Sequence, residues 1–162
     1  MSQTERRVPP NSVDREAFRD MCRKFAEREI KPRWEQADRE ARFPREFFVA
    51  AAKAGLIGLH APEAMGGADL GVTEEAISIE EQAKVNPNLA IMALIQGVAG
   101  SLLAEHGHAV HHDLVRANIA GECLLALAVT EPDAGSDVPN LKATATRQGG
   151  EWVLDGIKSI IT

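Results

Sequence analysis

The chain has 162 residues, of which 44% are hydrophobic and 26% charged, a balance typical of globular proteins and not of disordered ones. Its 18 Lys and Arg against 24 Asp and Glu give a net charge of −6, which argues against a nucleic-acid-binding protein because no basic excess exists to neutralise phosphates. We also expect no membrane span, because the apolar stretches fall short of the roughly 20 residues that a bilayer requires.

The two cysteines, Cys22 and Cys123, lie far apart and fit no metal-binding spacing, so we expect reduced thiols. Residues 1–11 contain no apolar segment typical of a secretory signal, and Arg6 and Arg7 are too few for an organellar presequence. The expected location is therefore the cytoplasm of a bacterial-type cell, or the mitochondrial matrix if the source is eukaryotic.

Helical patterns fill the first two thirds of the chain. Ser12 is a candidate cap for a helix that begins at Val13 and carries an apolar face. Pro32 should interrupt that helix near its end. Pro44 fits the first turn of a second helix, which Gly55 ends.

A predicted loop over 58–70 precedes a third helix, for which Thr73 is the candidate cap. The sequence Asn86-Pro87-Asn88 breaks it, and a long, nearly uncharged helix follows over 89–105. Apolar residues lie on most of its faces, so we predict that it is buried almost all round. It is either the central helix of a bundle or the wall of an apolar ligand pocket. A short helix over 108–119 follows.

The last quarter of the chain has β patterns. Residues 124–130 are an apolar run typical of a buried strand, and 141–147 alternate as a strand does. Gln148-Gly149-Gly150 predicts a hairpin turn into a return strand over 151–154. A further strand should begin in 157–162. Because that last strand is apolar and natural proteins protect such edges, we expect the chain to be part of a longer protein.

A polar loop, Glu131-Pro132-Asp133-Ala134-Gly135-Ser136-Asp137, directly follows the predicted buried strand. Gly135 would let the backbone approach a ligand, and main-chain N–H groups with the Ser136 hydroxyl could hold a phosphate oxygen. The residue chemistry alone favours a plain surface turn over such a site.

Four histidines crowd one short stretch: His106, His108, His111 and His112. His108 and His112 lie one helical turn apart and could share a metal ion. No further ligand completes a set, so solvated surface histidines are the favoured interpretation and we expect no metal.

A series of short motifs runs in order along the chain: Phe43-Pro44-Arg45-Glu46, Ala54 to Gly58, Pro62 to Gly67, Glu80-Glu81, Thr130 to Asp137 and Asp155 to Thr162. The series closely resembles the N-terminal part of the acyl-CoA dehydrogenases, from about Asp14 to Thr162. The T-E-P-x-A-G-S-D segment followed by G-x-K-x-x-I-T is the most specific part of the resemblance.

The resemblance implies a mainly α chain with a truncated acyl-CoA dehydrogenase fold. Its N-terminal helical bundle would be 1–122, and 123–162 would be the first strands of an antiparallel β-barrel-like middle domain. Family members bind FAD, oxidise an acyl-CoA to the 2,3-trans-enoyl-CoA, pass electrons to an electron-transferring flavoprotein and are usually homotetramers. No glutamate here matches the family's catalytic Glu, so we assign no catalytic residue and expect this chain alone to be inactive.

The resemblance also implies site residues. One FAD-contact segment would comprise Leu127, Ala128, Val129, Thr130, Gly135 and Ser136, with the Thr130 side chain on the flavin ring. A second would comprise Ile160, Ile161 and Thr162, where Ile160 replaces the usual Trp and removes aromatic cover of the flavin. Substrate contacts would come from Ser136 and from three residues of the long helix: Met92, Ile95 and Ala99.

Two other interpretations stay open. The chain could be a non-catalytic helical module for oligomerisation or interaction, derived from the same family. A metal protein that uses the histidine stretch is the weaker possibility.

Overall fold

The computed structural model describes residues 13–161, and the chain divides into two units after Leu125. The first unit is helical, and the second contains an antiparallel pair of strands. The mainly α architecture with the beginning of an antiparallel β structure is thereby confirmed. The sequence placed the domain boundary after residue 122, and the assignment of domains stays a prediction.

Within the described range six α-helices lie in the first unit: α1 (Arg15–Phe25), α2 (Trp34–Arg39), α3 (Arg45–Lys53), α4 (Val72–Ala83), α5 (Pro87–His106) and α6 (His112–Ile119). A π-helical turn, Ala26–Ile30, continues α1. Short 3-10 turns occur at Glu63–Met65, Ala109–His111 and Val138–Asn140. The strands are β1 (Thr144–Gln148) and β2 (Glu151–Asp155).

The start of α1 differs from the prediction. The Asp14 carboxylate accepts the N–H groups of Glu16 at 3.0 Å and Ala17 at 3.2 Å, which satisfies two of the unpaired donors of the first turn. The helix therefore begins after Asp14, and the prediction that it begins at Val13 is wrong. The predicted cap, Ser12, lies outside the described residues.

The predicted interruption near Pro32 is confirmed, whereas Pro44 lies one residue before the helix whose first turn it was predicted to occupy. The π-helical turn and a bend that contains Pro32 separate α1 from α2. Pro44 immediately precedes α3. At the other end of α3, Gly55 adopts φ of 72° and the Leu56 N–H donates to the Ala51 carbonyl at 2.9 Å. This is a Schellman motif, whose left-handed position favours glycine.

The caps of α4 and α5 come from residues next to the predicted ones. Gly71 precedes α4, and the Glu74 carboxylate accepts its N–H at 3.2 Å. Thr73 lies inside the helix, so its prediction as the cap is wrong: the longer Glu74 side chain satisfies the end instead. Asn86 caps α5 by accepting the Leu89 N–H at 2.9 Å, so α5 begins before the predicted residue 89.

The core of the first unit gathers apolar side chains from α1, the π-helical turn, α3 and the start of α5. The Phe25 and Phe47 rings lie 6.1 Å apart at its centre. The buried members of this core are Cys22, Phe25, Ala26, Ile30, Phe47, Phe48, Ala51, Leu56, Ile57, Leu89 and Ala93.

The prediction that α5 is buried almost all round is wrong. Its buried side consists mostly of small residues, with Gly97 close to Glu75 of α4 and Gly100 close to Asn118 of α6. Leu89 is its one large apolar residue in the buried set, whereas Ile91 is 51% exposed and Leu102 41%. The small residues allow α4 and α6 to pack closely on this side of α5.

We call Ile91, Ile95, Val98 and Leu102 the outer stripe. They recur at i, i+4, i+7 and i+11, the spacing of one helix face. The apolar stretch is longer than expected from the sequence, since α5 has 20 residues and contains an 18-residue window with a mean hydropathy of 1.5. Length and composition would let it cross a membrane, but the contacts of its small residues with α4 and α6 are those of a helix in a protein core.

The hairpin of the second unit agrees with the prediction. Gln148 pairs with Glu151, which leaves a two-residue turn at Gly149 and Gly150 with φ of 57° and 94°. Positive φ at both positions defines a type I′ turn, which suits glycine.

The other β predictions fail. Residues 124–130 form no strand, because no neighbouring segment among the described residues offers them a ladder of hydrogen bonds. Residues 157–161 form none either. The strand predicted over 141–147 begins at Thr144, since Lys142 and Ala143 donate their N–H groups to a side chain instead.

A buried carboxylate joins α1 to α4. The Glu81 side chain is fully buried and meets Arg19 at 2.7 Å, Arg23 at 3.3 Å and Lys84 at 2.7 Å. Hydrogen bonds from Lys84 and then Arg19 lower the pKa of Glu81 to about 2. Glu80 meets the same Arg19 and Lys84 from an exposed position.

His60 fastens the 58–70 loop to α4. Its Nδ1 lies 3.0 Å from the Leu70 carbonyl oxygen and its Nε2 lies 2.7 Å from a Glu75 carboxylate oxygen. Both partners are acceptors, so the ring makes both bonds only when it carries two protons. The pKa of His60 is accordingly raised, mainly by the hydrogen bond to Glu75.

Glu81→Gln should destabilise the protein by about 2 kcal/mol, because the cations around the buried position lose their partner but stay partly solvated. Urea denaturation measures this change. Glu80→Gln is the matched control, and it should cost less because the Glu80 side chain is exposed and its ion pairs are screened by water. The wild-type contribution should be full above the unfolded pKa of roughly 4.3 and fall as the pH drops toward 2. Equal losses in the two variants would contradict this account.

The His60 interaction should stabilise the protein below the unfolded histidine pKa of roughly 6.5 and be lost as the pH rises through the raised folded pKa. NMR titration of the His60 ring should give a pKa above the ordinary histidine value of roughly 6.5. The variant His60→Gln should flatten the dependence of the unfolding free energy on pH in this window. A His60 pKa at or below roughly 6.5 would contradict the proposed double protonation.

Candidate functional site

The Glu131 carboxylate organises the polar loop of the second unit. Its Oε2 accepts the Lys142 N–H at 2.7 Å, and its Oε1 accepts the Ala143 N–H at 2.9 Å and the Lys158 ammonium at 2.9 Å. The side chain is 5% exposed. The Lys142 backbone bond first, and then Lys158, lower the pKa of Glu131 to about 2, so the group is permanently ionised near neutral pH. We call these four residues the Glu131 network.

The same region holds the carbonyl groups before the loop. Lys158 also donates to the Val129 carbonyl at 2.9 Å, and the Ser159 N–H donates to the Thr130 carbonyl at 2.9 Å. Glu131 and buried Ala134 exchange backbone hydrogen bonds across a tight turn. The backbone of 129–134 is therefore fixed from one side.

Several N–H groups next to these carbonyls have no protein partner. No acceptor among residues 13–161 takes the N–H groups of Leu127, Ala128, Val129 or Thr130, which we call the open N–H edge. The N–H groups of Gly135 and Ser136 also have none there, and a Cβ added to Gly135 would meet no atom within 4 Å. These residues are exposed or half-exposed, so water or a ligand can accept from their N–H groups.

This donor set fits the predicted cofactor. The polar edge of a flavin ring carries carbonyl oxygens and ring nitrogens, which accept hydrogen bonds from main-chain N–H and hydroxyl groups. The half-exposed Thr130 and the exposed Ser136 add hydroxyls beside the open N–H groups. The residues present therefore fit FAD, and their assignment as its contacts stays a prediction.

The second predicted contact segment is described only in part. Ile160 is exposed and adopts φ of 55°, which is uncommon for a β-branched residue. Ile161 is exposed beside it, and Thr162 lies outside the described residues.

The predicted substrate residues of α5 lie on one edge of that helix at i, i+3 and i+7. Half-buried Met92 lines a cavity of about 340 Å³ together with Trp34 and Phe43. Half-buried Ile95 belongs to the outer stripe, whereas Ala99 is buried. The fourth predicted substrate residue, Ser136, lies in the second unit and is exposed.

Glu131 and Lys158 belong to the motifs quoted above, but the sequence predicted a role for neither. Glu131 bonds Lys142 and Lys158, which lie 11 and 27 residues further along the chain, so no local pattern could connect them. A carboxylate in a loop rich in Pro and Gly, with a lysine in the next motif, was the available signal.

The histidine stretch has a structural contact. The His108 N–H donates to His111 Nδ1 at 3.0 Å and closes the 3-10 turn. Within residues 13–161 no group of three or more His, Cys, Asp or Glu side chains is placed to hold a metal ion.

Comparison with known proteins gives a consistent set of relatives. The model of the acyl-CoA dehydrogenase N-terminal domain matches residues 12–116. A cyclohex-1-ene-1-carbonyl-CoA dehydrogenase of Geobacter metallireducens is 38% identical over 146 residues, which cover 88% of this chain and 38% of that protein. The mitochondrial long-chain specific acyl-CoA dehydrogenase of Rattus norvegicus is 32% identical over 152 residues, covering 93% of this chain and 35% of that protein.

Solved structures agree. A probable acyl-CoA dehydrogenase of Mycobacterium abscessus matches with a TM-score of 0.83 and 33% identity, covering 93% of this chain and 41% of that one. The chain thus spans about two fifths or less of the length of these three relatives. Because the domain model matches well over half of its residues, the chain belongs to the acyl-CoA dehydrogenase family and carries the N-terminal domain of that family.

Proposed function

We propose that the protein containing this chain is an FAD-dependent acyl-CoA dehydrogenase. It would remove a proton from Cα and a hydride from Cβ of an acyl-CoA, giving the 2,3-trans-enoyl-CoA, and pass the electrons to an electron-transferring flavoprotein. One observation carries the proposal: the open N–H edge of 127–130, fixed by the Glu131 network, in a chain of this family.

The part played by this chain would be to bind and orient. The N–H groups of 127–130 and the hydroxyls of Thr130 and Ser136 would donate to the flavin ring, and 160–162 would supply the second contact. FAD, when bound, supplies the hydride acceptor. No residue of this chain is assigned as the base that removes the α proton.

The acyl-CoA would meet α5 through Met92, Ile95 and Ala99. Two of these side chains are partly solvated and apolar, and each methylene that an acyl chain buries against such a surface contributes about 0.8 kcal/mol. Family resemblance alone supports two further proposals, a homo-oligomeric assembly and a location in the cytoplasm or the mitochondrial matrix.

Purification of the complete protein tests the proposal. We expect a bound flavin with visible absorbance that is bleached anaerobically by at least one acyl-CoA from a panel of short, medium, long, branched and cyclic substrates. Enoyl-CoA should form in equal amount. The 162-residue chain alone should not turn over. A complete protein without flavin, or a flavin that no acyl-CoA reduces, would contradict the proposal and favour a non-catalytic interaction module.

Glu131→Gln should weaken flavin binding roughly tenfold, because an amide nitrogen would face N–H donors and the loop backbone would lose its anchor. Equilibrium dialysis of the apoprotein with FAD measures the change. Asp133→Asn is the matched control, since Asp133 meets Lys142 Nζ at 2.8 Å on the surface and holds no backbone group. An equal loss in both variants would show that loop charge, and not the Glu131 network, matters.

A further inference from the structure

A side-chain amide on α5 pairs with the backbone at the end of the first unit. Gln96 Oε1 accepts the Leu125 N–H at 2.8 Å, and Gln96 Nε2 donates to the Leu125 carbonyl at 2.8 Å. Gln96 therefore satisfies both backbone groups of one residue, as a neighbouring strand would. The Gln96 residue is only 5% exposed, so water competes little for these bonds.

Asn118 of α6 fixes the orientation of that amide. Its Nδ2 donates to Gln96 Oε1 and to the Cys123 carbonyl, both at 3.0 Å. A flipped Gln96 would turn its NH2 group toward two donors, and a flipped Asn118 would turn its oxygen toward two acceptors. The contacts thus allow one arrangement of both amides, and together they hold Cys123 and Leu125.

The arrangement keeps one buried atom unpaired. Asn118 is fully buried, and its Oδ1 has no hydrogen-bond partner among the described residues, which disfavours folding. Gly100 provides the room, because a Cβ there would lie 3.2 Å from that oxygen. An apolar pair would remove the unpaired Oδ1 but would take away the partners of the Leu125 N–H and of the Leu125 and Cys123 carbonyls, so the amides are what hold this backbone in place.

The held backbone is the approach to the predicted flavin contacts. The chain leaves the first unit after Leu125, and the open N–H edge begins two residues later at Leu127. On α5, Gln96 directly follows Ile95, one of the predicted acyl contacts. One side chain of that helix thus holds the last residue of the first unit, two positions before Leu127.

We propose that Gln96 is a positioning residue, which with Asn118 sets the backbone from which the flavin-contact segment 127–130 starts. The inference rests on the proposed flavin site but concerns residues that do not touch it. Gln96 acts on the cofactor only through the main chain.

The test uses the complete, flavin-containing protein with Gln96→Met, which keeps the side-chain length and removes both hydrogen bonds. We expect roughly tenfold weaker flavin retention and a shifted visible absorbance band, since the two lost bonds hold the segment. Gln82→Met is the matched control, because Gln82 is also buried, on α4, and among residues 13–161 its side chain bonds only the Ser78 hydroxyl, at 2.9 Å. It should lower the melting temperature without changing the flavin band.

Flavin retention and an absorbance band that change no more in Gln96→Met than in Gln82→Met would overturn the proposal. Amide hydrogen exchange of the wild-type protein gives a second measurement if the variant fails to fold. The Leu125 N–H should exchange slowly with or without FAD, whereas those of 127–130 should slow only when FAD is added. Fast exchange at the Leu125 N–H would overturn the inference. A wild-type protein that never binds flavin would overturn the proposed function, and the exchange rate at Leu125 would then still test whether Gln96 holds this backbone.

Discussion

The close contact of α5 with α4 and α6 is the constraint on which the helical unit depends. Gly100 helps to permit it, since a Cβ there would lie 3.2 Å from Asn118 Oδ1, whereas a Cβ at Gly97 would make only an ordinary contact with Glu75, at 3.5 Å. Because the small residues face inward, the large apolar ones form the outer stripe, and a helix with little net amphipathicity acquires two different sides. The inner side binds the rest of the unit, and it also carries the one amide, Gln96, that reaches the backbone at Leu125. The packing of the core thereby fixes the backbone of Leu125, the last residue of the first unit.

In the second unit the ionised Glu131 carboxylate, and not a packed apolar core, holds the loop in place. Both strands are exposed throughout, so little apolar burial holds this segment. Glu131 instead gathers two backbone N–H groups and the Lys158 ammonium, and Lys158 in turn holds the Val129 carbonyl. Charge-assisted hydrogen bonds to main chain are directional, so they can fix a loop that has no core. Through Lys158 the Glu131 network also holds the Val129 carbonyl, within the stretch 127–130 that no ladder pairs with.

The sequence predicted what local chemistry decides and missed what distant partners decide. The hairpin at Gly149-Gly150, the break near Pro32 and the stop at Gly55 follow from backbone preferences of the residues themselves, and the structure agrees. Residues 124–130 have strand propensity, but propensity yields no strand without a ladder partner. The cap of α4 is Gly71 and not the predicted Thr73, because the Glu74 carboxylate accepts the Gly71 N–H. The motif around Thr130 to Asp137 predicted the loop of the candidate site. The hydrogen bonds of Glu131 and Gln96, however, join residues up to 29 positions apart, and a periodic sequence pattern cannot predict such pairs.

The charge state of the buried carboxylates explains why none of them is a candidate base. A group that removes a proton must be able to hold it, so its pKa has to lie near the pH at which the reaction runs. Hydrogen bonds and cations instead lower the pKa of Glu81 and of Glu131 to about 2, and they lower that of Glu74 as well. In each case the same bonds that depress the pKa also occupy the carboxylate oxygens: Glu74 with Arg15 and Gly71, Glu81 with three cations, Glu131 with two N–H groups and Lys158. These glutamates hold backbone groups and cations in place, and the base that removes the α proton would be a residue outside this set.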